Sequence, residues 1–324
     1  MNALDPPWSA SGDGQSDDLA KLDALINQST PTGGTCTIPG GRTYLIGGTL
    51  SVRRSDITIV MTGAILKHSG SGAAFVADGT QIQNGLSNVE IVGGLVDGNA
   101  KTTIAWRFRK CGRCRFVGQR ARNCALRAFS LEHCVACEFY NPRCTRNDPG
   151  MTLTPEVGLF MDSIGLNQNS TDCVVVNPAF EGLTNGRGFE FRYATGNTII
   201  GGTSEANAIG IRQLDGASAN RFIGTFFEAN SQADVDDAGF FNIYDNCHCS
   251  SPGGARFRAS SYRCTIRDGY FPTGITIERN CRGVLLDGIA YDGVISDHGI
   301  DTRRRNVWHI PAARFEDDVN SPPA

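Results

Sequence analysis

The sequence predicts an all-β solenoid, in which short strands repeat along the chain and stack in successive coils. Residues 172–230 contain one pattern three times, a short apolar run followed five residues later by Glu181, Glu205 or Glu228. The steps between these glutamates are 24 and 23 residues. A period of this length, built from short β-type runs and not from paired helices, is the sequence signature of a β-solenoid.

Size and composition allow one large domain, because the core of a solenoid grows in one dimension and its 324 residues need not be divided among several cores. The net charge of −3 does not favour a nucleic-acid-binding protein. The sequence has no run of about 18 apolar residues, and residues 1–7 lack the basic and apolar regions of a signal peptide. We therefore expect no membrane insertion, synthesis in the cytoplasm, and mostly free thiols among the twelve cysteines.

The spacing of apolar residues predicts one short helix over residues 17–27. Leu19, Leu22 and Leu25 follow the helical i, i+3 pattern, and Ser16 or Asp17 is the expected N-cap. An open solenoid end exposes apolar core and unpaired strand edges, so we interpret this helix as a cap on the first coil.

From residue 33 to about residue 291, short β-type runs alternate with Gly, Asn and Asp turns, without a second helical pattern. This distribution predicts three parts: an N-terminal segment with the capping helix over residues 1–30, a solenoid over residues 31–295, and a C-terminal cap or tail over residues 296–324.

The start of the chain resembles a known superfamily. Gly12-Asp13-Gly14-Gln15-Ser16-Asp17-Asp18, a short helix, and then Gly33-Gly34-Thr35-Cys36-Thr37-Ile38-Pro39-Gly40-Gly41-Arg42-Thr43-Tyr44 are similar to the opening of the pectate-lyase-like right-handed parallel β-helix proteins. That opening is frequent in bacteriophage tailspikes and polysaccharide depolymerases. The resemblance implies a single-stranded right-handed parallel β-helix, and it leaves the reaction open, since the superfamily contains lyases, hydrolases, epimerases and non-catalytic adhesins.

The repeated glutamates are the first candidate site. One coil apart, Glu181, Glu205 and Glu228 would be neighbours about 5 Å apart, and like charges at this distance raise one another's pKa. A retaining glycosidase has its two carboxyl groups about 5–5.5 Å apart, whereas an inverting glycosidase has them about 6.5–9.5 Å apart. The alternative is that Glu-Ala-Asn is only a turn sequence, in which Asn207 and Asn230 stack as an amide ladder.

A second candidate site lies on the strands that precede these repeats. On these strands we expect Met161, Phe191 and their equivalents to point into the core. The residues directly after them in sequence would form one outward column, and the residues directly before them would form another. The charged members include three further catalytic candidates, namely Glu190, Asp234 and Asp236. The substrate-binding candidates are Arg192, Arg212, Tyr193, Asp162 and Arg258. A salt-bridged solvent face or a trimer interface would have a similar pattern.

The four cysteines Cys111, Cys114, Cys134 and Cys137 have the spacing of a four-thiolate zinc site. Both pairs are also separated by 23 residues, which is the coil period. We therefore expect two stacked columns of buried thiols and assign no metal and no cofactor.

We predict a phage tailspike-like protein that binds bacterial capsular polysaccharide or lipopolysaccharide and cleaves it by hydrolysis with paired carboxylates. One of Glu205 and Glu228 would be the general acid. We expect a homotrimer in the virion, with no nucleic acid as partner. Two alternatives remain: a lyase, in which Arg192 or Arg212 neutralises a uronate and Tyr193 or an arginine takes the proton, and an adhesin that binds the glycan without cleaving it.

Overall fold

The computed structural model of the chain describes residues 1–310, which wind into a parallel β-helix. Each strand pairs in parallel with the equivalent strand of the next coil, as Val175 pairs with Ile199 and Ile199 with Phe222. Backbone hydrogen bonds therefore run along the helix axis, and each residue lies above its equivalent in the preceding coil. The predicted solenoid is confirmed.

Each full coil contributes a strand to each of three faces, called sheets 1, 2 and 3 in chain order. Three long strands bend at corners and pass from one sheet to the next: Ile57–His68, Val89–Arg109 and Arg120–Glu132. The remaining strands of sheet 1 are Thr35–Thr37, Arg115–Val117, Glu138–Tyr140, Val174–Val176, Thr198–Ile200, Arg221–Ile223, Ile243–Asp245, Thr265–Arg267, Leu285–Asp287 and Arg303–Arg305.

The remaining strands of sheet 2 are Asp13–Asp17, Thr43–Ile46, Arg143–Thr145, Ala179–Glu181, Thr203–Glu205, Phe226–Glu228, His248–Cys249, Tyr270–Phe271, Ala290–Tyr291 and Trp308–His309. Those of sheet 3 are Leu50–Val52, Gly72–Asp78, Val157–Asp162, Arg187–Phe191, Ile209–Gln213, Ala233–Asp237, Ala255–Phe257, Gly274–Ile277 and Val294–Asp297. Short pairs at the corner before sheet 1 are Leu86–Ser87 with Cys111–Gly112, and Ser170–Thr171 with Ala194–Thr195.

The predicted helix has an α-helical part, Leu19–Ala24, and a π-helical part, Leu25–Ser29. Leu22, Leu25 and Ile26 are fully buried and belong to the hydrophobic core. The helix thus adds apolar side chains to the core beside the first coil, as the i, i+3 spacing predicted.

The predicted N-cap is wrong. The N-cap residue is Asp18 and not Ser16 or Asp17, and its side chain makes no capping hydrogen bond. The fully buried Asp18 carboxylate instead accepts hydrogen bonds from the backbone N–H groups of Ser11, at 2.7 Å, and Gly12, at 2.9 Å. These bonds attach the segment before the helix to the helix start.

Buried amides form two ladders along the helix axis. The Asn197 N–H donates to Asn220 Oδ1 at 3.1 Å, and the Asn220 N–H donates to Asn242 Oδ1 at 3.0 Å. Asn207 and Asn230 stack in the same way, at 3.0 Å, between sheets 2 and 3. The second ladder confirms the predicted stacking of Asn207 and Asn230. Both ladders satisfy backbone donors that the turns would otherwise leave buried and unpaired.

All twelve cysteines are buried free thiols. The Cys137 thiol donates to the carbonyl oxygen of Cys111, and the Cys173 thiol to that of Cys134, both at 3.4 Å and both across coils. Gly112 pairs in register with Val135, so Cys111 stacks with Cys134 and Cys114 with Cys137, as predicted. In residues 1–310, no group of three or more His, Cys, Asp or Glu side chains is arranged to hold a metal ion.

The coils continue beyond residue 295, where we expected the solenoid to end. Strands Arg303–Arg305 and Trp308–His309 pair in parallel with the preceding coil. The apolar pattern does not predict this coil, because Arg304 occupies the inward position that Leu286 occupies one coil earlier. Arg304 is exposed at that position, and its guanidinium lies 3.1 Å from the Asp297 carboxylate.

The predicted C-terminal cap or tail, residues 296–324, is described as far as residue 310, and its remainder lies outside the described residues. In the described part of the chain, no helix is long and apolar enough to cross a membrane.

We predict that Asn220→Ala destabilises the protein by about 3 kcal/mol, because it leaves several buried donors and acceptors without partners. The Asn220 side chain bonds with Asn197, Ala194 and Gln213. The measurement is the free energy of urea unfolding. Asn84→Ala is the control, since Asn84 is exposed, and we expect a change below about 0.5 kcal/mol. Equal losses in both variants would contradict the role of the ladder.

Candidate functional site

Three glutamates stack in register on the outer face of sheet 2. Glu181 pairs with Glu205, and Glu205 with Glu228, as the repeat predicted. Parallel pairing places neighbouring Cα atoms about 4.8 Å apart. All three side chains are partly exposed, and no arginine or lysine of the described residues lies within ion-pair distance of them. We call Glu181, Glu205 and Glu228 the glutamate column.

The glutamate column is a set of like charges with little neutralisation. Burial raises the pKa of Glu205, and the charges of Glu181 and Glu228 raise it further. The Glu181 carboxylate accepts a hydrogen bond from the Thr203 hydroxyl at 2.6 Å. Within the described residues, the carboxylates of Glu205 and Glu228 accept no hydrogen bond. Glu205, the middle member, therefore keeps its proton more readily than an ordinary glutamate does.

The same column looks different in earlier coils. Arg122 pairs with Asp97 at 2.8 Å, and Asn123 donates to the same carboxylate at 3.0 Å. The Arg122 guanidinium also bonds with the carbonyl oxygen of Pro149, so the loop after sheet 2 lies across this part of the face. From Glu181 onward, three consecutive coils carry a carboxylate without an arginine or lysine partner among the described residues.

The Glu-Ala-Asn sequence forms a turn, as the alternative interpretation predicted, and this turn leaves the glutamate on the outer face. Ala206 and Ala229 adopt left-handed backbone with φ of 54° and 52°, which turns the chain after each glutamate. The asparagine that follows points into the core and joins its amide ladder, while the glutamate stays on the outer face.

A column of aromatic rings lies beside the glutamate column on sheet 2, and the sequence analysis missed it. Phe226 pairs with His248 and His248 with Tyr270, two residues before the glutamate position in each coil. The rings of Phe226 and His248 stack with centroids 4.3 Å apart, and those of His248 and Tyr270 are 5.5 Å apart. The signal in the sequence is their equal spacing of 22 residues. We call these three residues the aromatic column.

On sheet 3, the predicted columns are partly wrong. Phe191 pairs with Gln213 and not with Ile211, so Arg212 lies in the column of Glu190. Asp236 follows in that same column. We had placed Arg212 and Asp236 with Arg192 and Arg258, on the assumption that apolar residues mark every inward position.

That assumption failed because two inward positions are polar. Gln213 is buried, and its amide donates to the Tyr244 hydroxyl at 2.7 Å. Asp237 is also buried and accepts a hydrogen bond from the same hydroxyl at 2.8 Å. Since each group has a partner inside the coil, both can point inward without an unsatisfied polar atom.

The outer carboxylates of sheet 3 are held by arginines. Asp236, which is 4% exposed, lies 2.5 Å from Arg258 and 3.8 Å from Arg212. Glu190 lies 3.2 Å from Arg187. The pKa of Arg258 is raised by its hydrogen bonds with the Asp236 carboxylate. This face has the character of the salt-bridged surface that was our alternative interpretation.

The remaining binding candidates lie at the edges of this face. Arg192 is 3.7 Å from Asp162 and 5.8 Å from the centre of the Phe160 ring. Tyr193 is 48% exposed and lines a different groove of about 400 Å³ with Ser163. Tyr193 directly follows Arg192, but it does not line the groove that contains Arg212, Asp236 and Arg258.

Another groove of about 390 Å³ at the edge of sheet 3 does bring three candidates together. Arg212, Asp236 and Arg258 line it with Glu278.

Asp234 does not lie on the outer face, so its predicted outward position is wrong. It is fully buried and accepts hydrogen bonds from Asn230 and from the backbone and side chain of Ser251. The equivalent positions of earlier coils are Gly188 and Gly210, and a Cβ at Gly188 would lie 1.9 Å from a buried serine hydroxyl. Burial raises the pKa of Asp234 to about 6.

No known family's sequence model matches the chain, and no curated protein is similar to it in sequence. Similar solved structures do exist. The ORF18 protein of Geobacillus virus E2 matches with a TM-score of 0.55 and 15% identity over 94% of this chain and 59% of its own. A mutant tailspike protein of E. coli bacteriophage HK620, in complex with a hexasaccharide, matches with a TM-score of 0.57 and 14% identity over 92% and 60%.

The A-module of the Azotobacter vinelandii mannuronan C-5 epimerase AlgE6 matches over 96% of this chain and 99% of its own, with a TM-score of 0.57 and 14% identity. The chain has a parallel β-helix fold. This confirms the fold class predicted from the sequence. The chain spans about six tenths of the length of the two phage proteins, and at these identities the likeness concerns the fold of the β-helix alone.

We predict that Asp234 makes the stability of the β-helix depend on pH. Its folded pKa of about 6 lies above the ordinary value of 3.8, so the folded state binds this proton more tightly than the unfolded state. Its contribution to stability is present below about pH 4 and is lost as the pH rises through about 6.

The measurement compares wild type with Asp234→Asn by urea unfolding from pH 4 to pH 7. The stability difference should shift by about 3 kcal/mol in favour of the variant, as a pKa difference of about two units implies. A difference that does not change with pH would contradict the burial of an ionisable group at this position.

Proposed function

We propose that the protein binds a bacterial surface polysaccharide on the outer face of sheet 2 and cleaves its glycosidic bonds by hydrolysis. The observation that carries the proposal is the glutamate column, three in-register carboxylates without a basic partner among the described residues. Glycoside hydrolysis needs one protonated and one ionised carboxyl group close together. Stacked like charges provide this pair, because they resist simultaneous ionisation.

The general acid in this proposal is Glu205. Burial and two flanking carboxylates raise its pKa, so it retains a proton to give to the leaving oxygen. Glu228 is the proposed nucleophile or base, because its carboxylate has no hydrogen-bond donor beside it, whereas that of Glu181 is held by Thr203. Neighbouring coils place these side chains about 5 Å apart, which suits a retaining reaction.

The aromatic column supports glycan binding next to this pair. Phe226 is 37% exposed and belongs to the same strand as Glu228. Its ring, with those of His248 and Tyr270, forms a stacked surface along the coils. Because Phe226 and His248 stack face to face, they present apolar ring edges beside Glu228, and the C–H groups of sugar rings pack against such apolar surface.

Sheet 3 supports chemistry less well. A lyase needs an arginine free to neutralise a uronate, but Arg212 lies 3.8 Å from Asp236 and Arg192 lies 3.7 Å from Asp162. Glu190 and Asp236 are each held in an ion pair with an arginine, and Asp234 is fully buried, away from the outer face. Glu190, Asp234 and Asp236 are therefore secondary to the glutamate column.

We further propose that the polysaccharide is capsular or part of lipopolysaccharide, and that the protein acts as a homotrimer in a phage tail. The support is the similarity of fold to the two phage proteins, one of which was solved with a hexasaccharide. The measurement of this part is the mass of the protein in solution by light scattering, for which three copies are expected.

We predict that Glu205→Gln and Glu228→Gln each reduce cleavage of purified capsule or lipopolysaccharide at least about 100-fold, the usual contribution of a general acid or base. The measurement is the rate of formation of new reducing ends. Glu278→Gln is the matched control on sheet 3, since Glu278 is partly exposed and lies 3.7 Å from Arg258. Its activity should stay within a few-fold of wild type.

Other outcomes would contradict the proposal in distinct ways. Products with the ultraviolet absorbance of unsaturated uronates would indicate a lyase. Binding without any change in glycan size would indicate an adhesin. Full activity of both glutamine variants would show that the catalytic residues do not lie in the glutamate column of sheet 2.

A further inference from the structure

A groove of about 710 Å³ lies at the C-terminal end of sheet 1 and at the corner that precedes it. This is a different face and a different set of coils from the glutamate column. Its charged and aromatic lining consists of Tyr262, Arg263, Arg282, Asp301, Arg303 and Arg305. We call it the arginine groove.

Among the described residues, the four arginines of the groove have no ionic partner. All four side chains are exposed, and within residues 1–310 none has a carboxylate oxygen at ion-pair distance. Nearby arginines differ: Arg267 lies 2.5 Å from Asp245, and Arg304 lies 3.1 Å from Asp297. Asp301 is the only acidic residue of the groove lining, so the groove carries an excess of positive charge.

The four arginines come from three successive coils, whose backbones are paired in register. Arg282 pairs in register with Tyr262 of the preceding coil, and Arg303 pairs with Leu285. Arg303 and Arg305 are two residues apart on one strand, so both side chains leave the same side of sheet 1. The guanidinium groups thus come from three coils, which span about 10 Å along the axis.

An oriented aromatic ring lies among these charges. The Arg263 guanidinium is 5.1 Å from the centre of the Tyr262 ring. Phe241 meets the same ring edge to face, with centroids 5.5 Å apart and an interplanar angle of 88°. Gly283 has a left-handed φ of 67°, and a Cβ there would approach the Arg263 side chain to 3.1 Å. Glycine therefore keeps the groove open beside Arg263.

We propose that the arginine groove binds an acidic saccharide through carboxylate or phosphate groups. The planar fork of arginine matches both oxyanions with two parallel hydrogen bonds. The volume falls in the range of sites for small organic ligands and exceeds what a lone ion needs. The Tyr262 ring provides a face against which a sugar ring packs between the charged groups. The site goes beyond the proposed function, since it requires no cleavage on sheet 2.

The test is isothermal titration of the full chain with trigalacturonate, with glucose 1-phosphate, and with neutral maltotriose and inorganic phosphate as comparison ligands. We expect an acidic sugar to bind and both comparison ligands to bind at least tenfold more weakly. Tighter binding of trigalacturonate would indicate recognition of carboxylate groups, and tighter binding of glucose 1-phosphate would indicate recognition of phosphate groups. Affinity should fall as salt is added, because the contacts are ionic.

Arg263→Gln with Arg303→Gln should weaken binding of the acidic sugar at least tenfold. The control is Arg113→Gln with Arg279→Gln, which removes the same charge from two exposed arginines that have no ionic partner in the described coils. It should change affinity less than twofold. Neither pair of substitutions removes a buried contact, so both proteins should keep the wild-type melting temperature.

Equal weakening in the two double variants would overturn the proposal, because it would reveal attraction by net charge only. Inorganic phosphate that binds as tightly as the acidic sugars would overturn the saccharide assignment. Tight binding of maltotriose would overturn the role of the oxyanion, and failure of both acidic sugars to bind would overturn the site itself.

Discussion

The structure depends on parallel, in-register stacking of its coils. This pairing places equivalent residues about 4.8 Å apart, so the chemistry of one position meets its own copy in the next coil. Inward positions therefore need groups that satisfy one another, as the ladder of Asn197, Asn220 and Asn242 does. At outward positions, charged side chains of neighbouring coils also lie next to one another, and the charges are arranged differently on sheets 2 and 3.

The outer column of Glu190, Arg212 and Asp236 on sheet 3 alternates the sign of its charges, while the glutamate column of sheet 2 does not. In sheet 3, Asp236 lies within ion-pair distance of both Arg212 and Arg258. In sheet 2, Glu205 lies between two other glutamates, and its pKa rises. The first arrangement stabilises a surface. In the glutamate column the like charges repel one another. Such repulsion keeps one carboxyl group of a catalytic pair protonated beside an ionised partner.

The sequence was sufficient for features that repeat with the coil period and follow the apolar pattern, namely the solenoid, the capping helix and the register of the glutamates. It was insufficient where a polar residue takes an inward position, as Gln213 does on sheet 3 and Arg304 does in the last described coil. Asp234 was misplaced because its hydrogen bonds come from turns of two coils. The arginine groove was missed because its residues follow no single column.

The proposed hydrolysis requires that the carboxyl groups on sheet 2 are coupled and that Glu205 retains its proton. Its most direct test is the pKa of Glu205, measured by NMR titration of glutamate-labelled protein. In the wild type this pKa should lie above the ordinary value of 4.5, and it should fall in Glu181→Gln/Glu228→Gln, where two like charges are removed. An ordinary pKa in the wild type, or a raised one that the double substitution leaves unchanged, would contradict the account.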